Sequence, residues 1–390
     1  MSIQSLLDYI SVIPDIRQQG KVKHKLSDIL FLTVCAVIAG ADEWQEIEDF
    51  GHERLEWLKK YGDFDNGIPV DDTIARVVSN IDSLAFEKMF IEWMQECHEI
   101  TDGEIIAIDG KTIRGSFDKG KRKGAIHMVS AFSNENGVVL GQVKTEAKSN
   151  EITAIPELLN LLDLKKNLIT IDAMGCQKDI ASKIKDKKAD YLLVVKGNQG
   201  KLHHAFEEKF PVNVFSNYKG DAFSTQEISH GRKETRLHIV SNVTPEFCDF
   251  EFEWKGLKKL CVALSFRQKK EDKSAEGVSI RYYISSKDMD AKEFAHAIRA
   301  HWLIEHSLHW VLDVKMNEDA SRIRRGNAAE IISGIKKMAL NLLRDCKDIK
   351  GGVKRKRKKV ALNTCYIEEV LASCSELGFR TDKMKNLTQI

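Results

Sequence analysis

No stretch of this 390-residue sequence approaches the ~18 unbroken apolar residues of a membrane span. The longest apolar run, Ile29 to Gly40, is too short. The N-terminus also lacks the basic start and apolar block of a secretory signal, and instead carries Asp8 and Asp15. The eight cysteines include no C-x-x-C pair, so a thiol-pair metal or redox motif is excluded. Reduced thiols and a cytoplasmic setting are expected, with no membrane partner. Charge of one sign is equally scarce. A net charge of +2 argues against a simple nucleic-acid coat.

What is present is an ordinary apolar fraction of 43% in a chain long enough for two or three domains. The positive charge is concentrated. Gly110 to Gly124 holds Lys111, Arg114, Lys119, Lys121, Arg122 and Lys123. Val353 to Lys359 holds Lys354, Arg355, Lys356, Arg357, Lys358 and Lys359. Such runs can bind phosphates locally in a near-neutral protein, or can be solvated loops.

Residues 1 to about 98 read as helical. Apolar spacing predicts helices over Ser27 to Gly40, Asp42 to Tyr61 and Asp82 to Cys97. Ile68-Pro69 marks a turn, and Asp71 or Asp72 can cap the helix that follows. The texture changes at Gly103. Strands are predicted over Glu104 to Asp109, His127 to Ser133, Gly137 to Thr145, Asn167 to Asp172 and Tyr191 to Lys196. Helices are predicted over Glu151 to Leu164 and Lys178 to Lys187. Three strands, helix, strand, helix, strand is the order of a ribonuclease-H-like core, with a meander first and parallel strands after it. From Gly200 to about Ser286 the chain is β-rich, with strands expected over Phe223 to Val240, Leu257 to Arg267 and Val278 to Ser285. One long helix over Ala291 to about Val314 and another over Asn327 to Cys346 follow. We therefore expect an α/β protein: a helical domain at 1–98, a ribonuclease-H-like core at 99–346 with a β-rich insertion at about 200–286, and a basic segment at 347–390.

Asp109 and Asp172 each end an apolar strand. Alone, either could cap the next turn. Side by side, two carboxylates repel unless a cation lies between them. Hard oxygen donors suit Mg²⁺ or Mn²⁺, and two such ions can activate a hydroxyl and stabilise a phosphodiester's leaving oxygen. On the 291–314 helix, His301, Glu305, His309 and Asp313 form one drifting stripe at about 100° per residue. Glu305 is the candidate third acid and Asp313 the lesser one, with Arg322 or Arg324 as partners for Asp313. His301, Glu305 and His309 could alternatively hold zinc. Lys196, before Gly197, could meet a phosphate or simply end its strand.

The motifs I-A-I-D-G-K-T-I-R-G-S, I-T-I-D-A-M-G-C-Q, V-V-K-G-N-Q and R-A-H-W-L-I-E-H-S-L-H-W-V-L-D-V-K-M-N-E-D-A-S-R-I-R together resemble the insertion-sequence transposases of the H-repeat-associated family. Upstream, I-P-D-I-R-Q-Q-G-K-V-K-H-K-L and A-D-E-W-Q-E-I-E-D-F-G resemble that family's N-terminal associated domain. The resemblance covers nearly the whole chain. It implies a DDE triad at Asp109, Asp172 and Glu305, metal-dependent cleavage at element ends, and strand transfer into target DNA. It also implies double-stranded DNA as the partner, with a homodimer assembling on it at the nucleoid. Lys111, Arg114, Lys121, Arg122, Lys123, Lys196 and the 354–359 run would hold phosphates. A nuclease without joining activity and an inactive DNA-binding remnant are the alternatives. The chain departs from the Tyr, Arg, Glu, Lys spacing of insertion-sequence DDE transposases at large. Ile298, His301 and Leu312 stand where the other three belong, and His306 follows Glu305 where Asn is expected.

Overall fold

The computed structural model describes residues 3–98, 100–117, 124–145, 151–211, 214–215, 218–229, 232–269 and 275–373. Six helices come first: α1 (Ile3–Ser11), α2 (Leu26–Ala39), α3 (Trp44–Glu53), α4 (Leu55–Leu58), α5 (Asp71–Ser79) and α6 (Ser83–Cys97). The helix expected over 42–61 is two helices, broken at Arg54. Asp71 and Asp72 do not cap α5. They occupy its first turn behind Val70, where their charge favours the exposed helix amides.

Among the described residues nine strands form a single sheet: β1 (Ile105–Thr112), β2 (His127–Ser133), β3 (Val138–Lys144), β4 (Leu168–Ile171), β5 (Asp190–Val195), β6 (Asp221–Ser229), β7 (Arg232–Asn242), β8 (Lys259–Lys269) and β9 (Ala275–Ser285). Their spatial order is β3-β2-β1-β4-β5-β9-β8-β7-β6. β1, β4 and β5 run parallel, and the remaining pairs are antiparallel. The parallel strands are continuous apolar runs because both faces are covered. On one face lie α7 (Glu151–Leu161) and α8 (Lys178–Asp186), whose Ile155, Leu158, Ile180 and Ile184 join the core under β1, β4 and β5. On the other lies α11 (Ala291–Leu303), with Phe294, Ala297 and Ala300 packed against Ile105, Leu168 and Leu192.

The β-rich segment continues this sheet, since β9 pairs directly with β5. It also contains two short helices, α9 (Gly200–Lys209) and α10 (Cys248–Glu253). The strand expected over 223–240 is a hairpin of β6 and β7.

After α11 come α12 (Trp310–Met316), α13 (Ala328–Asp345), α14 (Val353–Leu362) and α15 (Thr364–Ala372). α13 is almost wholly buried. Its Ile331, Ile335, Met338 and Leu342 share one core with Phe31 and Val34 of α2, Phe90 of α6, and Val360 and Ile367 of α14 and α15. The N-terminal helices thus fold against the C-terminal ones. Cys35, Cys176, Cys248, Cys261, Cys346 and Cys365 are free thiols. Among the described residues no helix is long and apolar enough to cross a membrane.

Candidate active site

The site lies where buried strands run out of apolar residues. The parallel register pairs Ile108 with Ile171, so Asp109 and Asp172, one residue on, stand at the same level; Asp172 follows the end of β4, whereas β1 runs on past Asp109 to Thr112 paired with β2, beyond the end expected for it. The Asp172 carboxylate is fixed by its own turn: Oδ1 accepts from the Met174 N–H at 2.9 Å and the Gly175 N–H at 3.3 Å. Gly110, after Asp109, leaves room for two polar side chains. A Cβ there would meet Glu151 Oε1 at 2.2 Å and His127 Nε2 at 2.3 Å.

The third element is the helix that starts as α11. It does not run to α12 as a regular α-helix, because Ile304–His309 form a π-helical turn. Such turns insert a residue and recur at functional sites. Here the turn separates two packing surfaces. Phe294, Ala297 and Ala300 face the sheet, whereas Ile304, Leu308, Leu312 and Met316 enter the helical core. Within the turn, Glu305 Oε2 lies 3.5 Å from His309 Nδ1, and Asp109 Oδ2 lies 3.6 Å from the same nitrogen. Ligand atoms of Asp109, Glu305 and His309 all fall within 4.8 Å of one another.

The electrostatics are those of a site short of positive charge. Burial, then Glu305, with Glu151 and Asp172 adding, push the Asp109 carboxyl up to about 8, against the Gly110 N–H. Burial and Glu151 also raise Asp172, opposed by the Gly175 and Met174 N–H groups and by Lys196. Burial pulls His309 and His301 down to about 4, so both imidazoles are neutral. Among the described residues no lysine or arginine forms an ion pair with Asp109 or Glu305. A divalent cation is the group that such a donor set fits.

His301 is not part of the cluster. Its Nδ1 is hydrogen-bonded to Thr170 Oγ1 at 2.9 Å, which takes one ligand from the three-residue zinc set. Asp313 is also elsewhere. It pairs with Lys111 rather than with Arg322 or Arg324. Sequence reasoning passed over His309 as a partner of Asp109, because the π turn that aims it is invisible in spacing. It missed Glu151 as well. That carboxylate opens α7, bonds His127 at 2.8 Å and raises both aspartates.

Several basic residues sit differently from expectation. Lys111, only 12% exposed, is held by Asp313, by Glu318 at 2.6 Å and by Asp319 at 3.6 Å, which leaves it no free face for phosphate. Lys356 and Arg357 are buried. Lys356 donates to the Leu343 and Cys346 carbonyls, and Arg357 to those of Lys315 and Val37, so both secure helix ends instead of DNA. Arg114, Lys196, Lys354, Arg355 and Lys358 are exposed and Lys359 is half-buried. Lys119, Lys121, Arg122 and Lys123 lie outside the described residues.

Comparison with known proteins places the chain in a family. Residues 7–94 match the family model described as DDE_Tnp_1-associated, and residues 100–342 match that of the transposase DDE domain. The chain belongs to the DDE transposase family. It is 99% identical to the transposase-named protein YncI of Escherichia coli O157:H7 over 100% of both chains. It is 58% identical to the H repeat-associated, transposase-named protein YhhI of Escherichia coli K12, over 95% of this chain and 99% of that one. The H-repeat resemblance seen in the motifs is therefore real. A distant likeness, at 12% identity and a TM-score of 0.41, links it to a cryo-EM structure of the piggyBac transposase synaptic complex with hairpin DNA, over 96% of this chain and 80% of that one.

Proposed function

We propose that this transposase nicks DNA at the ends of its element and joins the freed 3′-hydroxyl to target DNA. Asp109, Asp172 and Glu305 are the catalytic acids. The observation that carries this reading is the meeting of Asp109 with Glu305 where β1 outruns the parallel strand β4, beside Asp172 just past the end of β4. The order β3-β2-β1-β4-β5 supports a ribonuclease-H-like core. In this reading 99–346 is the catalytic unit, and among the described residues 3–98 and 347–373 pack around it.

Mg²⁺ or Mn²⁺ held by these carboxylates would supply Lewis acidity at the scissile phosphate. The chain supplies the rest. Asp172, tethered by two backbone amides, keeps its oxygens directed at the strand ends. The apolar strands beneath exclude water, which strengthens every charge interaction there. Exposed Arg114, Lys196, Lys354, Arg355, Lys358 and Lys359 hold phosphates of double-stranded DNA, with Lys121, Arg122 and Lys123 as further contacts. Such contacts position the duplex without reading its sequence. A homodimer bridging two ends, at work on the nucleoid in the cytoplasm, completes the reading. The test is a cleavage and joining assay on DNA carrying the native ends, with Mg²⁺ against EDTA. Metal-dependent nicking and joined product are expected. Nicking without joining would make the protein a nuclease.

A further inference from the structure

We propose that His309 is itself a metal ligand, binding through Nδ1 the same divalent cation as Asp109 and Glu305, and that this nitrogen makes the site prefer Mn²⁺ to Mg²⁺. The proposal rests on the metal-dependent reading above and adds a residue outside its three carboxylates.

Three observations carry it. The first is distance. Nδ1 lies 3.6 Å from Asp109 Oδ2 and 3.5 Å from Glu305 Oε2. Both separations are too long for good hydrogen bonds. They approach what ligands of one octahedral ion show: two cis donors each about 2.1 Å from the cation lie about 3.0 Å from one another, so each side chain has only about half an ångström to close on binding. The second is the isolation of the ring. His309 is 6% exposed, and its Nε2 is buried without a hydrogen-bond partner. That orphaned nitrogen is the one turned away from the acids, so among the described residues the only groups in reach that account for a histidine here are the carboxylates at Nδ1. The neighbouring His301 is the contrast, because Thr170 satisfies it. The third is the backbone. Glu305 and His309 lie in the one π-helical turn of this helix, and that turn brings both to Asp109.

A mixed oxygen and nitrogen site has a chemical consequence. Mg²⁺ favours oxygen donors and gives up water reluctantly, whereas imidazole suits later divalent ions better. Mn²⁺ accepts both.

The experiment loads the full-length protein with Mn²⁺ alone and records its pulsed electron paramagnetic resonance spectrum. Wild type should show the ¹⁴N modulation of a coordinated imidazole, retained in His301→Gln and lost in His309→Gln. In titrations, His309→Gln should weaken Mn²⁺ about tenfold and Mg²⁺ far less. Bound Mn²⁺ without ¹⁴N modulation in wild type would overturn the proposal and leave the carboxylate reading standing. So would modulation that survives in His309→Gln. No Mn²⁺ binding at all by wild type would remove both. The wild-type spectrum decides even if His309→Gln fails to fold, and His309→Asn provides a second variant.

Discussion

Two carboxylates, Glu318 buried after α12 and Asp109 half-buried in β1, are treated in opposite ways. Glu318 is 2% exposed, yet its carboxyl is held down at about 2. Burial alone would raise it, but Lys337 and Lys111 outweigh that effect. Ser333 donates to it as well, at 2.9 Å. Asp109 is two residues from Lys111 in sequence, and its carboxyl is pushed up to about 8. Strand alternation explains how this can be: residues i and i+2 share a face but stand one pleat apart. The lysine on β1 serves Asp313 and Glu318 and leaves Asp109 with acids for neighbours. One cluster is complete within the chain and acts as a structural anchor. The other is complete only with a cation from outside.

The contrast breaks most sharply at the incomplete cluster. Asp109→Asn, Asp172→Asn and Glu305→Gln should each abolish strand cleavage while DNA binding, read by gel shift, stays near wild type. Asp313→Asn should at most reduce cleavage, because Asp313 holds Lys111 and not the metal-facing group. Near-normal cutting by any of the first three would remove that residue from the triad.

In the completed cluster the largest effect is on folding. Lys337 is buried, donates to Gln142 at 2.5 Å and to Ser333 at 2.7 Å, and faces Glu318 at 3.7 Å. Lys337→Met strands Glu318 with half its counter-charge. Breaking a buried pair from one side costs about 3–5 kcal/mol. Urea unfolding should report that loss, and a change below about 1 kcal/mol, the range of a surface pair, would mean the pair is not structural. Glu318→Gln, which leaves two ammonium groups facing an amide, should lose stability in the same direction.

pH separates the clusters further. Folded Asp109 keeps its proton to about 8, whereas the unfolded chain releases it near the ordinary aspartate value of 3.8. Between those values the native state binds more protons, so this group makes stability fall as pH rises, by up to about 1.4 kcal/mol per pH unit. Glu318 does the reverse: its stabilisation is present above the ordinary glutamate range and is lost as pH falls toward about 2. Metal binding must displace the Asp109 proton, so affinity for Mn²⁺ or Mg²⁺ should strengthen as pH rises toward about 8. Melting temperatures of metal-free wild type against Asp109→Asn over the neutral range check the sign. The variant should lose the downward slope, and equal slopes would contradict the burial argument.

How much of this was legible depended on whether a residue's partners are close in sequence. An apolar strand run ending in an acid is a local pattern that singles out Asp109 and Asp172; helical phase left Glu305 and Asp313 both open, and the family resemblance favoured Glu305. Lys111 was misread because a dense basic stretch looks like a phosphate-binding loop. Its partners Asp313 and Glu318 come from about two hundred residues away, and nothing local announces them. Glu151 is far closer in sequence, but its helix returns to the two aspartates only through the fold. The β6–β7 hairpin was read as one strand because its two arms alternate in similar fashion. The π turn left no trace at all in a sequence with ordinary helical spacing.

The smallest effect belongs to the run at 354–359, where the difference between completed and open charge repeats on a single helix. α14 turns Lys356 and Arg357 inward, where their donors go to backbone carbonyls of Leu343, Cys346, Lys315 and Val37. Lys354, Arg355 and Lys358 face solvent, and Lys359 lies half-buried, 5.8 Å from the Tyr366 ring centroid. Replacing Lys354, Arg355, Lys358 and Lys359 with Gln should therefore leave the melting temperature nearly unchanged. It should weaken DNA binding at all sequences alike. The slope of log K against log salt should fall by about 0.9 for each phosphate that is no longer neutralised. Replacing only Lys356 and Arg357 should do the opposite, lowering stability while the salt slope of the folded fraction holds. Side-by-side salt titrations of the two variants decide it. If the inward pair changes the slope and the outward four do not, α14 meets DNA through a rearranged helix. If neither does, the run is an anchor for the C-terminal helices and DNA phosphates are held elsewhere, with Arg114 and Lys196 at the strand ends the next to replace.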